Sequence, residues 1–187
     1  SRTENSKTYI GEDGERLAVV GAGAMHYLED GSWEEIDLNI DSTATGWEVT
    51  KNSFETQFSS SLQDGVTVQF DQNIDPIRFG LNPMPAWFLG EGFSPMPYIE
   101  EPATEGVSVG ANVIRYPVNI NAEIDYVVTS EGVKQNLNIR DMPFAPDGFE
   151  GYFGLQETMI IPSGHALFIG DSMIEDGGKL TTTNTSI

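Results

Sequence analysis

Hydrophobic and polar residues alternate on both sides of an Asp-Gly pair within residues 25–40, and this pattern predicts a β-hairpin. Asp30-Gly31 suits a two-residue type I′ turn, because both central positions of that turn need a positive φ angle. Counting outward from the turn predicts the cross-strand pairs Leu28–Trp33, Tyr27–Glu34, His26–Glu35 and Met25–Ile36.

The two faces of this hairpin differ in polarity. Alternation predicts an apolar face that lies on a core, formed by Met25, Tyr27, Ile36, Leu38 and Ile40. The other face carries His26, Glu35 and Asp37. We expect Glu35 to stabilise the protonated form of His26 as its cross-strand partner.

Short alternating segments continue along the chain. A second Asp-Gly turn, Asp64-Gly65, predicts a hairpin that leads into Val66, Val68 and Phe70 on one face. Further strands are predicted at 1–9 (an arm or first edge strand), 16–20, 47–50, 54–58, 112–116, 125–129, 133–139, 152–161, 166–169 and 179–183. No segment of ten or more residues has helical periodicity. We therefore expect one all-β domain over residues 1–187, an antiparallel β-sandwich or two packed sheets built from hairpins.

Residues 71–112 have a different composition and hold six of the ten prolines. Because proline removes a backbone donor, we expect a long Pro/aromatic-rich loop here rather than a central strand. The alternative division of the chain is a subdivision near this segment. Its large side chains suit contacts with a partner protein, and the alternative is a loop folded back over the core. The candidate contact residues are Trp87, Phe88, Phe93, Met96 and Tyr98.

The net charge of the chain argues against some classes of binding partner. There are 29 acidic and 9 basic residues, a formal net charge of −20, and no cysteine. A surface of this charge repels phosphate backbones, so direct nucleic-acid binding is not expected. No apolar run approaches the roughly 20 residues of a membrane-spanning helix. Disulfides and thiolate metal sites are excluded because they need cysteine.

A glycine-rich segment after residue 20 imitates the start of a dinucleotide-binding fold. The fingerprint needs a third small residue three positions after Gly23, where His26 stands, and then a helix that receives the pyrophosphate. A hairpin turn follows instead. We expect Gly21 and Gly23 to mark a bulge or a close approach of two backbones.

No pattern typical of a catalytic site is present. His26 and His165 are the two histidines, and neither belongs to a nucleophile or metalloprotease motif. Two carboxylates for a glycosidase could be chosen anywhere among so many acids, so that pattern is uninformative. We expect a protein that is not an enzyme and that needs no cofactor.

One loop has the opening of a calcium-binding sequence. Asp71, Asn73 and Asp75 have the spacing of the first ligands of an EF-hand loop. Pro76 stands where that loop needs glycine, and Asn82 stands where it needs a bidentate glutamate. The EF-hand hypothesis therefore fails, and an irregular Ca²⁺ site built from these three residues is the alternative.

Two groups of residues resemble a known kind of module. Arg2-Thr3-x-Asn5-Ser6-Lys7-x-Tyr9, followed by His26-Tyr27-x-x-x-Gly31-x-Trp33-x-x-Ile36-Asp37, resembles the opening of a β-rich region in large bacterial surface proteins. That region precedes DNRLRE-type or RHS/YD-repeat modules, and similar segments occur in phage virion structural proteins. Tyr116, Asp125-x-x-Val128 and Gly132-Val133-Lys134 are similar to its Tyr…Asp…Val-Lys hairpin. The similarity covers both ends of residues 2–140.

This chain departs from the resemblance in two respects. It carries no attached repeat module, and its Pro/Met-rich segment 82–102 is unusual. The resemblance implies a virion or extracellular, cell-surface structural module, with no catalytic residues to carry over. It does not identify the assembly.

Three functions are therefore weighed. The leading hypothesis is a non-catalytic module of a virion (capsid decoration, tail or baseplate) or of a surface assembly, which binds copies of itself or other structural proteins. Its polar end, residues 179–187, could add a strand to a neighbour's sheet. The alternative is a carbohydrate- or cell-surface-binding module that uses Trp33, Trp47 or Trp87, and a glycosidase is third.

Overall fold

The computed structural model describes residues 1–88, 96–97, 105–118, 121–141, 151–163, 166–169 and 172–174, and within them the regular structure is almost entirely strand. The first nine strands are β1 (Arg2–Thr3), β2 (Ser6–Ile10), β3 (Arg16–Val20), β4 (His26–Glu29), β5 (Ser32–Glu35), β6 (Asp41–Ser42), β7 (Gly46–Val49), β8 (Glu55–Ser59) and β9 (Val66–Gln69). The other nine are β10 (Ile77–Phe88), β11 (Met96–Pro97), β12 (Val107–Gly110), β13 (Val113–Pro117), β14 (Ala122–Val128), β15 (Val133–Ile139), β16 (Tyr152–Ile160), β17 (Leu167–Ile169) and β18 (Ser172–Ile174).

Two sheets form the main body, and the all-β prediction is confirmed. The larger has seven strands in the order β11-β10-β9-β8-β7-β6, with β16 also paired to β10. The smaller has the order β12-β13-β14-β15. All the strand pairs described are antiparallel, as expected for a chain built from hairpins. The first 35 residues add a β1-β2-β3 sheet and the β4-β5 hairpin, and β17 pairs with β18.

The core lies between the inner faces of the two large sheets. Phe58 on β8 packs 6.2 Å from Tyr126 on β14, and Tyr126 packs edge-on against Tyr116 at 5.8 Å. All three rings are almost fully buried. Burying each such ring contributes on the order of 1.5–3 kcal/mol. The residues buried around them are Val49, Phe54, Leu62, Val66, Val68, Ile114, Val118, Ala122, Ile124 and Val128. This packing makes the body a β-sandwich.

The β4-β5 hairpin has the predicted turn and register. Asp30 and Gly31 have φ angles of 49° and 80°, as a type I′ turn requires. Leu28 pairs with Trp33, and His26 pairs with Glu35. The predicted distribution of burial was wrong in two respects. Of the five residues expected to lie on a core, Leu38 and Ile40 pack against it, whereas Met25, Tyr27 and Ile36 do not. His26, assigned to the polar face, is 1% exposed, whereas Tyr27 is only half-buried. The reason is that β1 covers the face that carries His26.

The predicted Asp64-Gly65 hairpin was wrong in its geometry. β8 ends at Ser59, and Phe58 pairs with Val66, so six residues connect the two strands instead of two. Three of them, Leu62–Asp64, form a 3₁₀ turn that Ser61 caps through its side chain. The turn buries Leu62 in the core, and this contact outweighs the local preference of Asp-Gly. Phe70, predicted to share a face with Val66 and Val68, is largely exposed whereas those two are buried, and its ring lies 5.6 Å from that of Phe54.

The expectation that residues 71–112 hold no central strand was also wrong. β10 has twelve residues and pairs with β16 along most of its length. Its register shifts on both sides of Leu81, and Gly80 and Asn82 adopt positive φ angles. On its other edge, β10 pairs with β9 over Ile77–Phe79 and with β11 over Ala86–Trp87.

This partial pairing explains how the strand accommodates proline. Among the described residues, none between Gly80 and Pro85 pairs with a strand on that second edge. Pro83 and Pro85 lie within this stretch, and neither has a backbone N–H to donate. Proline is tolerated where a strand needs no ladder donor on that side.

A polar network connects β10, β14, β15 and β16 at the border of the core. Gln135 donates to both the Tyr126 hydroxyl (3.0 Å) and a carboxylate oxygen of Glu157 (2.6 Å). The backbone of Gly80 donates to the same carboxylate. Burial raises the pKa of Glu157, and these hydrogen bonds offset only part of that effect. The two sheets are therefore joined by a carboxyl group whose charge is poorly solvated.

Gly80→Ala should destabilise the fold strongly. Gly80 has a φ of 67°, and a Cβ atom there would overlap the Tyr126 hydroxyl. Strain and overpacking together should cost about 2–4 kcal/mol of unfolding free energy, measured by denaturant titration. Gly132→Ala is the control, because a Cβ at Gly132 meets no atom within 4 Å. Equal stability of the two variants would contradict the packing described for β10.

Glu157→Gln should raise the unfolding free energy at neutral pH. Because the pKa of Glu157 is raised in the folded state, its stabilising contribution is complete below the ordinary value of 4.5 and is lost as pH rises through the folded pKa. Glutamine stays uncharged, so its advantage should disappear as pH falls below about 4.5. Thermal melts across this range check the prediction, with exposed Glu105→Gln as control. An advantage that does not change with pH would contradict it.

Candidate interaction surface

The sequence forms a ribbon from β2 and β3 in the first 20 residues. The strands pair in register from Ser6 opposite Val20 to Ile10 opposite Arg16. The connecting turn closes with hydrogen bonds from Gly11 N to Glu15 O (2.8 Å) and from Gly14 N to Gly11 O (3.0 Å). Gly14 has a φ of 77°, which glycine adopts without strain. The predicted strands at 1–9 and 16–20 are thus one antiparallel unit, named here the amino-terminal ribbon (β2 and β3).

Both faces of the amino-terminal ribbon expose apolar side chains. Tyr9, Leu17 and Val19 share one face, and Ile10 and Val20 lie on the other. Their exposed fractions range from 39% to 71%. No residue before Leu38 belongs to or packs against the core cluster described between the sheets. Exposed apolar groups that lie together are typical of surfaces that bind other molecules.

Hydrogen bonds, rather than a core, attach the ribbon to the hairpin that follows. The carbonyl oxygen of Glu4 accepts from Met25 N (2.7 Å) and His26 N (2.9 Å). His26 Nδ1 donates to the carbonyl oxygen of Thr3 at 2.8 Å. Gly21 N donates to Asn5 O, and a Cβ on Gly21 would press on the Met25 side chain, so the closest contact at this glycine is with a side chain rather than with a second backbone as predicted. His26 is the buried side chain at this junction.

Charged groups cover the same junction on the solvent side. Arg2 Nη1 donates to Trp33 O (3.1 Å), and Arg2 also lies within 3.5 Å of a Glu35 oxygen. Lys7 forms an ion pair with Glu35, which lowers the pKa of Glu35 and raises the pKa of Lys7. These groups are exposed, so their effect on stability is small. Glu35 therefore forms ion pairs with Arg2 and Lys7. The predicted stabilisation of protonated His26 by Glu35 stays a prediction.

The ribbon differs in charge from the rest of the chain. Residues 1–20 hold three bases and four acids, a net charge of −1. The remaining residues hold six of the nine bases and 25 of the 29 acids, a net charge of −19. The apolar ribbon is thus close to neutral on a strongly acidic chain.

The predicted contact residues fall into two groups. Trp87 is 9% exposed and packs edge-on against Phe153 at 5.1 Å, so for this side chain the alternative, burial within the chain itself, agrees with the structure. β10 and β16 pair directly at this point and bring the two rings together. Phe88 and Met96 lie in β10 and β11, but their side chains are outside the described part of the structure, as are residues Phe93 and Tyr98.

The tryptophans proposed as sugar platforms are mostly engaged within the chain. Trp47 packs against the core from β7, and Trp87 is buried. Trp33 is half-buried, opposite the exposed Leu28. Of the three, Trp33 is therefore the one best placed to meet an external ligand, and it borders the junction of the ribbon.

The residues proposed for calcium lie in an exposed turn after β9. Asp71 Oδ1 accepts from both the backbone N and the side-chain Nδ2 of Asn73, each at 2.8 Å. These two bonds lower the pKa of Asp71. Across the described residues, no group of three or more His, Asp or Glu side chains is arranged to hold a metal. The hydrogen bonds between Asp71 and Asn73 stabilise this turn, and Asp71, Asn73 and Asp75 stay a predicted Ca²⁺ site.

Sequence reasoning missed the exposure of β3. Leu17, Ala18, Val19 and Val20 are apolar on both strand faces, a pattern typical of buried strands. The signal that could have identified it is the polar sequence around β3, because β2 contributes Ser6, Lys7 and Thr8 and the connecting turn holds Glu12, Asp13 and Glu15.

His26→Ala should loosen the amino-terminal ribbon without unfolding the sandwich. The substitution removes a buried side chain and its bond to Thr3, at a cost of about 1–3 kcal/mol of local stability. Hydrogen exchange should accelerate in β1, β2 and β3 and stay unchanged in β14. Tyr27→Phe is the control, because the Tyr27 hydroxyl reaches only Glu29 at 3.0 Å. Faster exchange throughout the chain would contradict the proposed local role.

Comparisons with known proteins identify no relative of this chain. No family model, no curated protein and no solved structure matches the chain. Within the described part of the chain, no helix has the length and hydrophobicity needed to span a lipid bilayer.

Proposed function

We propose that the chain is a non-catalytic structural module of a larger assembly and that the amino-terminal ribbon is its protein-contact surface. The observation that carries this proposal is the exposure of apolar residues on both faces of β2 and β3. A small ribbon without a core is marginally stable alone, so a partner that covers it supplies the missing burial.

The charges of the chain support a protein partner. The ribbon carries a net charge of −1, whereas the rest of the chain carries −19. A polyanion such as nucleic acid would be repelled by this body, and a purely cationic partner would prefer the body to the ribbon. An apolar protein surface is the ligand that gains most from contact with Leu17 and Val20.

The setting of the assembly is proposed from the resemblance to surface and virion modules. The first group of residues that carries it, from Arg2 to Asp37, lies in or beside β1, β2, β4 and β5, the elements that build and anchor the ribbon, and the second group, from Tyr116 to Lys134, lies in the sandwich. The resemblance to virion and cell-surface modules and the exposed apolar residues therefore both involve the amino-terminal part of the chain. Carbohydrate binding has less support, because Trp47 and Trp87 are engaged internally.

Photo-crosslinking in cells that produce the chain with its natural neighbours tests this function. Benzoylphenylalanine at exposed Leu17 should give covalent adducts with protein, identified by mass spectrometry. The same group at exposed Gln57, on β8 of the sandwich, is the control and should give few adducts. Equal yields at the two positions, or no protein adduct at Leu17, would remove the ribbon as a contact surface.

A further inference from the structure

β3 has an open edge whose geometry follows from its pairing with β2. It is the last strand of the β1-β2-β3 sheet, and all five of its residues are exposed. The bonds Gly11 N to Glu15 O and Gly21 N to Asn5 O show that odd-numbered residues direct their backbone groups toward β2. In an antiparallel ladder the neighbours alternate. Arg16, Ala18 and Val20 therefore direct three N–H and three C=O groups away from the sheet.

This edge has few of the features that usually prevent strand addition. Protected edges are short, bulged, or carry charges or proline. Of the other described sheet edges, β1, β6 and β11 have two residues each, β12 has a register shift, and β15 and β16 carry Lys134 and Glu157. In the two-stranded units, β4 and β5 carry glutamates, and β17 and β18 have three residues each. β3 carries Arg16 at its first position, but Leu17–Val20 holds no charge and no proline, and the β2-β3 register is regular.

We propose that the open edge of β3 pairs antiparallel with β3 of a second copy, with Ala18 on the two-fold axis. This register places Arg16 opposite Val20 of the second copy and Leu17 opposite its Val19. It pairs all three outward-directed residues of both copies, whereas a shift by two residues leaves some of them unpaired. The proposal rests on the proposed function and names the partner.

The edge is self-complementary in this register, and charge does not prevent two copies from meeting there. Two chains of net charge −20 repel, and they can meet only where the local charge is small. The ribbon is that place, with a net charge of −1. In the proposed register, Glu15 stands opposite Gly21, so no like charges face each other across the strands. Small Ala18 side chains at the axis avoid a clash.

The dimer would create an apolar surface that neither copy has alone. Tyr9 pairs with Leu17 within each ribbon, and the new ladder adds the Leu17–Val19 pairs between copies. One face of the six-stranded sheet is then continuous across the axis. Such a face is a larger contact surface for the assembly than a single ribbon offers.

Ala18→Pro tests the edge without disturbing the ribbon, because the N–H of Ala18 is directed away from β2. Sedimentation equilibrium should show a dimer for the unmodified chain, and the variant should weaken it about tenfold or more through the loss of two hydrogen bonds. Salt should tighten the dimer by screening the acidic bodies. Leu17→Pro is the matched contrast, since it removes a donor to β2 and should also unfold the ribbon. A monomer at millimolar concentration, or equal dimerisation with Ala18→Pro, would overturn the proposal.

Single cysteines test the register in a chain that has none of its own. Ala18→Cys should form an intermolecular disulfide in oxidised glutathione, because directly opposed residues of this kind have Cα atoms about 5.5 Å apart. Val109→Cys is the control, at an exposed position on edge strand β12, and should link poorly. Equal linkage of the two variants would overturn the register.

The crosslinking at Leu17 separates this proposal from the proposed function. Adducts between two copies at the ribbon support both. Adducts with a different protein, together with a monomer in sedimentation, would keep the function and overturn the dimer. Adducts with residues 179–187 would assign the edge to the carboxy-terminal segment and also overturn it.

Discussion

The structure depends on the contact between the inner faces of the two large sheets. Phe58, Tyr116 and Tyr126 meet at this contact, and they are the largest fully buried side chains of the described residues, so their burial removes much apolar area from water. The hydroxyl of Tyr116 donates to the carbonyl of Ser59, and that of Tyr126 accepts from Gln135, so the polar tips of two buried rings are satisfied. Once the sheets are joined here, the remaining strands can only extend them or lie outside them.

The first 35 residues lie outside this contact. Their attachment to the sandwich runs through backbone bonds such as Asp37 N to Lys51 O (2.9 Å), and through the close approach of Gly23 to Glu131. Hydrogen bonds that exchange for water contribute modestly, about 1 kcal/mol each. The ribbon and hairpin are therefore the part of the described chain most easily changed by a ligand, while the sandwich provides a stable base.

Local patterns predicted what depends on local chemistry. The Asp30-Gly31 turn, the register of β4 with β5 and the hairpin of β14 with β15 were all predictable, because turn residues and alternation determine them. The burial of His26 was not, since it depends on β1, a strand 23 residues earlier, whose Thr3 accepts its hydrogen bond. β10 was missed because two bulges and an unpaired edge accommodate Pro83 and Pro85, and neither feature can be seen in a window of sequence. The site was missed for the same reason: exposure is a property of the whole fold.

The polar face of β13, β14 and β15 differs from the ribbon in how far its polar groups are paired within the chain. In the sandwich, the exposed face of β13, β14 and β15 is neutralised internally, with Arg115 bidentate to Asp125 at 2.7 and 2.8 Å and Asn138 donating to the same carboxylate. Such a face has its donors and acceptors paired and gains little from a partner. β3 has no described partner on its outer edge, and apart from Arg16 its side chains are apolar, so covering it removes apolar area from water while satisfying six backbone groups. Because two chains of net charge −20 repel each other, we infer that the near-neutral amino-terminal ribbon is a surface where these two gains can exceed the repulsion.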